Sequence, residues 1–94
     1  MPLSELAVPN RVVGVRSVRK KLDAGKLTRL FLARDAHHSL VSDLASDAQK
    51  AGISVEWIES MAVLGRACAI SRGAAAAGIL VLQERESPEV RRYL

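Results

Sequence analysis

The apolar positions of this chain change period in a regular way from one end to the other. Val12 and Val13 run into Gly14, after which Val15, Val18 and Leu22 share one helical face, with Arg16, Arg19, Lys20 and Asp23 on the others. That is the pattern of a strand feeding a helix. Gly25 stands where a left-handed residue would end this helix. Thr28 to Ala33 is a short apolar run with one basic insertion and reads as a buried strand, followed by a turn over Arg34, Asp35, Ala36, His37 and His38. Leu40, Val41, Leu44, Ala45, Ala48 and Ala51 then recur at helical spacing between Ser39, a candidate N-cap, and Gly52, a candidate stop. Ile53, Val55 and Trp57 alternate with Ser54 and Glu56, which predicts a strand with one buried face and puts both Phe31 and Trp57 on core strands. Ser60 can cap a further helix running to about Cys68. From Ala74 to Leu82 the chain is continuously apolar, and Gly78 with the β-branched residues after it favours a buried central strand over an Ala-rich helix. Short helical turns are expected over Ser4–Val8, stopped by Pro9, and after Pro88.

Strands alternating with helices predict a layered α/β domain, a compact three-layer α/β/α sandwich. With 94 residues there is length for one core, so a single domain over 1–94 is expected, with 1–10 and 83–94 as peripheral ends. No apolar run reaches a membrane span of roughly 18 to 20 residues, and Glu5 stands where a signal peptide would be basic, so the expected location is cytoplasmic. Cys68 is the only cysteine, without neighbours at metal-ligand spacing, and reads as a small buried hydrophobe. No metal or cofactor is expected.

Charge sharpens the picture more by its placement than by its sum. Arg11 to Arg34 carries +7 and Asp35 to Val63 carries −4, within a chain of net +4. Such asymmetry aims a basic face at a polyanion. Gly14 lets the backbone turn tightly into a helix whose first N–H groups favour anions, and the guanidinium groups behind it add to that field. A solvated basic face is the bland alternative for this stretch.

Catalysis finds little support. There is no Gly-x-Ser-x-Gly elbow, His37 and His38 are adjacent and point apart, and Gly14 is not followed by the residues of a dinucleotide or triphosphate loop. The chain reads as a binder. If the ligand is RNA, Arg16 can offer a donor fork to guanine O6 and N7 in an opened major groove, and Lys20, one turn on, can reach phosphate. A second loop, from Val63, Leu64, Gly65 and Arg66 to Ile70, Ser71, Arg72 and Gly73, combines small apolar groups with two arginines. It can pack on an extruded nucleotide and hold its phosphate, or Leu64 and Ile70 are core residues and the arginines are solvated.

Four stretches together resemble the L-seven-Ae type ribosomal proteins, in particular their small bacterial kink-turn-binding members. These are Val-Val-Gly-x-Arg-Ser-x-x-Lys at 12–20, Leu-Phe-Leu-Ala-Arg-Asp-Ala at 30–36, Leu-Gly-Arg-Ala-Cys-Ala-Ile at 64–70, and Gly-Ala-Ala before the last strand. The resemblance implies a four-stranded mixed sheet, no catalysis, and binding to kink-turns, which are sharply bent RNA helices built on tandem sheared G·A pairs. It implies an RNA site over Gly14, Arg16, Ser17, Arg19, Lys20, Lys21, Leu64, Gly65, Arg66, Ile70 and Arg72. Structured RNA is then the partner, ribosomal RNA and the ribosome among the candidates, for a protein that is monomeric in solution.

Some positions depart from the family pattern. Ser17 replaces a longer Glu or Gln that accepts from a guanine, so the contact needs a water or is lost, unless Ser17 is the helix N-cap. Arg34 replaces Glu in an Ala-Glu-Asp motif whose acid, Asp35, reads as structural. Ala69 occupies a common glycine position, and Arg72 an often apolar one. A reading of another class is a protein-interaction module that keeps the fold and offers its basic face to an acidic protein partner.

Overall fold

The sheet is organised around β2, Leu27–Ala33, the longest strand of the computed structural model, which describes residues 6–81. Alternate side chains of a strand point to opposite faces, so Leu30 and Leu32 lie on one side of β2, and Phe31 and Ala33 on the other. All four are completely buried. Both faces must therefore be covered, and they are, by three helices: α1 (Val15–Asp23), α2 (His38–Lys50) and α3 (Met61–Ala67). With β1 (Arg11–Val13), β3 (Ser54–Ile58) and β4 (Ala76–Leu80), the chain forms a three-layer α/β/α sandwich on a four-stranded sheet of order β1-β4-β2-β3.

The sheet is mixed. β2 pairs in parallel with β3, placing Leu32 opposite Trp57 and Ala33 opposite Ile58. β4 runs antiparallel to both β2 and β1, with Ala76 opposite Leu32 and Ala77 opposite Val13. The central place expected for the Ala-rich strand is the one observed, and Gly78 explains part of it. A Cβ on Gly78 would meet Leu27 Cδ2 at 2.6 Å and Arg29 O at 3.1 Å, where an irregularity between Leu27 and Arg29 brings β2 close.

All three helices stop in the same way. Gly25 N–H bonds Leu22 O and Lys26 N–H bonds Lys21 O; Gly52 bonds Gln49 O and Ile53 bonds Ala48 O; Ala69 bonds Arg66 O and Ile70 bonds Gly65 O. These are paired Schellman bonds around a left-handed residue. Gly25 and Gly52 supply that residue at φ 71° and 75°, as the sequence predicts, whereas α3 uses Ala69 at φ 62°.

Three expectations need correction. α2 is capped by His37, whose Nδ1 accepts from Ser39 N–H at 3.3 Å, and Ser39 lies inside the helix. An imidazole nitrogen can serve here because it sits two residues before the donor, as a short polar side chain would. Ser17 is not the cap of α1 either; that position is held by Gly14. Trp57 is 39% exposed, and Ile58 rather than Trp57 is the buried end of β3. β3 is an edge strand with a neighbour on one side only, so its alternation does not give a fully covered face.

Leu6 joins the core, fully buried, and Cys68 is buried as expected. The other ends of the expected turns, at Ser4 and around Pro88, lie outside the described residues, as does Leu82. Among the described residues, no helix is long and apolar enough to cross a membrane.

Candidate functional site

One end of the sheet carries the start of α1 and two of the loops on which the sequence places candidate residues. β1, β2 and β3 all finish there and β4 starts there, as their pairing shows: Val13 opposite Ala77, Leu32 opposite Ala76, and Ala33 opposite Ile58. Hydrogen bonds lock the connections together. Gly14 N–H donates to Ala76 O at 2.9 Å, Ala33 N–H to Ala75 O at 3.0 Å, and Arg34 N–H to Ile58 O at 2.8 Å. The start of α1, the β2–α2 turn and the α3–β4 loop therefore share one rim. Ligand sites of open α/β sheets form beyond the carboxyl ends of strands for the same reason: that is where the connections can vary.

Gly14 makes the turn into α1 at φ 103°, a conformation that an L side chain rarely adopts. The first bond of the helix runs from Val18 N–H to Gly14 O at 2.9 Å, and no side chain caps the N–H groups before it. Nor is there an acid in the first turn. Arg16 occupies it instead. A cation here faces the positive end of the helix dipole, a placement unfavourable by about 0.3–1 kcal/mol unless an anion joins it. Arg16, Ser17 and Lys20 are exposed and Lys21 half-buried, and with Val12 they line a groove of about 330 Å³.

Arg19 is differently placed from its neighbours. Its Nη1 donates to Asp23 at 3.0 Å and to Asp47 of α2 at 2.9 Å. Hydrogen bonding to Asp23 and then to Asp47 raises its pKa above the ordinary guanidinium value. Arg19 thus ties α1 to α2, with its charge already balanced.

The second loop is built from inside. Asp35 Oδ1 accepts from Met61 N–H at 2.7 Å and Ser60 Oγ from Val63 N–H at 3.1 Å, so two orphan donors at the start of α3 are satisfied. The structural reading of Asp35 holds. Beyond α3, Ala74 N–H returns to Met61 O at 3.0 Å. Gly65 allows this return, because a Cβ on it would run into the Arg72 carbonyl and come within 3.1 Å of Gly73 Cα. Leu64 is completely buried and Gly65 buried, Ile70 is half-buried, and Arg66 and Arg72 are exposed. Leu64 and Gly65 therefore shape the loop from within, while the arginines stand on its surface.

Sequence reasoning did not include Arg34, which is exposed on the turn that closes onto Ile58 at this rim. Its substitution for an acid in the Ala-Glu-Asp motif was the available signal. It also missed a groove of about 520 Å³ between α1 and α2, bordered by Arg16 and Leu40. No local pattern announces that groove, since it depends on how two helices pack.

The chain is similar to several known proteins. The chain is 32% identical over 79 residues to an RNA-binding protein of Caldanaerobacter subterraneus, covering 84% of this chain and 96% of that protein. It is 35% identical over 69 residues to the RNA-binding protein YbxF of Geobacillus stearothermophilus, covering 73% and 84% respectively. Among solved structures, the Giardia lamblia 15.5kD RNA binding protein superposes with a TM-score of 0.76 at 22% identity, covering 95% of this chain and 76% of that one. A Bacillus halodurans protein of unknown function superposes at 0.75 with 21% identity, covering 94% and 92%. The profile of the ribosomal protein L7Ae/L30e/S12e/Gadd45 family matches residues 5–90, and the chain belongs to that family.

Proposed function

We propose that this protein binds RNA without catalysis, and that its target is a kink-turn or related bent helix with sheared G·A pairs. The observation that carries the reading is Arg16 in the first turn of an uncapped helix that opens on Gly14. Folding alone gains nothing from a cation there, whereas a phosphate backbone would make the site favourable. The names of the relatives from Caldanaerobacter and Geobacillus support the same class of ligand.

In this reading Arg16 addresses guanine O6 and N7, and Lys20 and Lys21 neutralise phosphate along the helix. Ser17 reaches its base through a water. From the second loop, Arg66 and Arg72 grip the backbone and Ile70 offers an apolar contact, held in place by Leu64 and Gly65. Arg19 positions α1 without touching RNA. Ribosomal RNA is one source of such a target. Replacement of Arg16 or Lys20 by alanine tests the assignment in a binding titration with a kink-turn RNA. Each variant should lose about tenfold, in line with the cost of one good base or phosphate contact. Unchanged affinity in both would remove the site from α1.

A further inference from the structure

The turn between β2 and α2 leaves one charge at the rim without a structural use. Arg34 N–H extends the pairing of β2 with β3 by donating to Ile58 O at 2.8 Å, so the backbone is held while the side chain is exposed. Asp35 beside it is committed elsewhere, its Oδ1 accepting from Met61 N–H of α3. Glu59, the residue after Ile58, is exposed, but among the described residues Arg34 forms neither an ion pair nor a side-chain hydrogen bond. An exposed guanidinium without an acid partner adds little to stability. We infer that Arg34 binds a backbone phosphate of the RNA, on the strand that borders the groove entered by α1. The inference rests on the RNA-binding reading above and deepens it.

Position decides between phosphate and base. Gly14 N–H and Ala33 N–H bond the successive carbonyls of Ala76 and Ala75, so the opening of α1 and the turn after β2 flank the start of β4 on its two sides. With neighbouring strands about 4.8 Å apart, the Arg34 backbone stands about 10 Å from Gly14. A helix with its side chains reaches only about 5–6 Å from its axis. Arg34 therefore lies outside the cylinder of α1. Base edges lie within a groove and phosphates along its borders, so a groove that admits α1 presents Arg16 with bases and Arg34 with backbone.

The chemistry of the side chain suits that border. Its planar fork can give two N–H groups to two oxygens of one phosphate, and its charge displaces a counterion from the RNA. Such a contact fixes register and carries no base identity. It adds affinity at the rim and leaves discrimination to α1.

The test uses the full chain, a kink-turn RNA and the variants Arg34→Ala and Arg34→Lys. Arg34→Ala should bind about tenfold more weakly at about 50 mM salt and about threefold more weakly at about 200 mM, its salt slope reduced by about one. Arg34→Lys keeps the charge and should keep the slope. A series of the same RNA with one phosphate at a time replaced by a neutral methylphosphonate then locates the partner. One replacement should weaken the wild type and leave Arg34→Ala unaffected. Wild-type affinity and slope in Arg34→Ala overturn the contact and leave the RNA-binding reading standing. A lowered melting temperature in Arg34→Ala would make the residue a folding element and also overturn the contact. Failure of the wild type to bind the RNA overturns the RNA-binding reading and the contact with it.

Discussion

Arg19 of α1 and Asp47 of α2 are joined by a 2.9 Å hydrogen bond between Nη1 and Oδ2, although 28 residues separate them in sequence. The same nitrogen reaches Asp23 one turn along α1. This link bridges α2 and the helix that carries Arg16 and Lys20. Its three side chains are partly exposed, so screening keeps its contribution to stability to about 0.5–1 kcal/mol. The raised pKa of Arg19 means that it stays charged across the working pH range and brings no pH dependence of its own. Arg19→Ala should therefore lower stability slightly in a denaturant titration. A double-mutant cycle with Asp47→Ala should show a coupling of the same size. Coupling of zero would mean that the bridge does not hold the helices.

Arg16 gives the opposite result if binding is the reason for its position. Arg16→Glu puts an acid at the positive end of α1, which should raise stability by about 0.5 kcal/mol while abolishing RNA binding. A loss of stability would show that Arg16 is placed for folding. Ser17→Gln, which restores the longer acceptor of the resembling family, should sharpen discrimination between sheared and Watson–Crick pairs without changing net charge.

Ala69 closes α3 in the left-handed region at φ 62°, where the other two helices use glycine. An L side chain costs about 1–2 kcal/mol there, and glycine gives back about 0.4–1 kcal/mol through a looser unfolded chain. Ala69→Gly should stabilise the protein by about 0.5–1 kcal/mol, read from the midpoint of urea unfolding. A neutral or destabilising effect would mean that the loop does not need that conformation.

Cys68 is completely buried, and burial pushes its thiol pKa up, with the charge of Arg11 working weakly the other way. The folded state thus favours the neutral thiol. Stability from this source is complete below the ordinary thiol pKa of about 8.5 and falls as pH rises beyond it. Unfolding free energies at pH 7 and 10 should differ more for the wild type than for Cys68→Ala, which cannot ionise. In the native protein at neutral pH the thiol should react with a maleimide only through unfolding. Rapid labelling would contradict the burial.

The chain pattern makes most of the fold legible, because Gly14, Gly25 and Gly52 mark places where the backbone must leave the region open to other residues. The buried runs around Leu30 and Ala77 likewise leave little choice but a covered sheet. What the pattern lacks is strand order. Trp57 looks like a core residue until β3 is known to lie at an edge. His37 and Ser39 can each cap a helix, and only the folded structure chooses His37. Of the candidate site, Arg16 and Lys20 stand out through local periodicity. Arg19 looks equivalent to them, since its partner Asp47 is too distant in sequence to be paired by inspection. The role of Ala69 is legible only through the glycine that the family has in its place.

The central claim is recognition of a bent RNA through the start of α1. Its most direct measurement is a titration of the protein with a kink-turn duplex and with the same duplex carrying Watson–Crick pairs in place of its G·A pairs, each at two salt concentrations. Preference for the kinked RNA that survives the higher salt is the predicted result, since base contacts release fewer counterions than phosphate contacts. Equal binding to both duplexes, collapsing together as salt rises, would reduce the site to a general phosphate-binding surface and contradict the account.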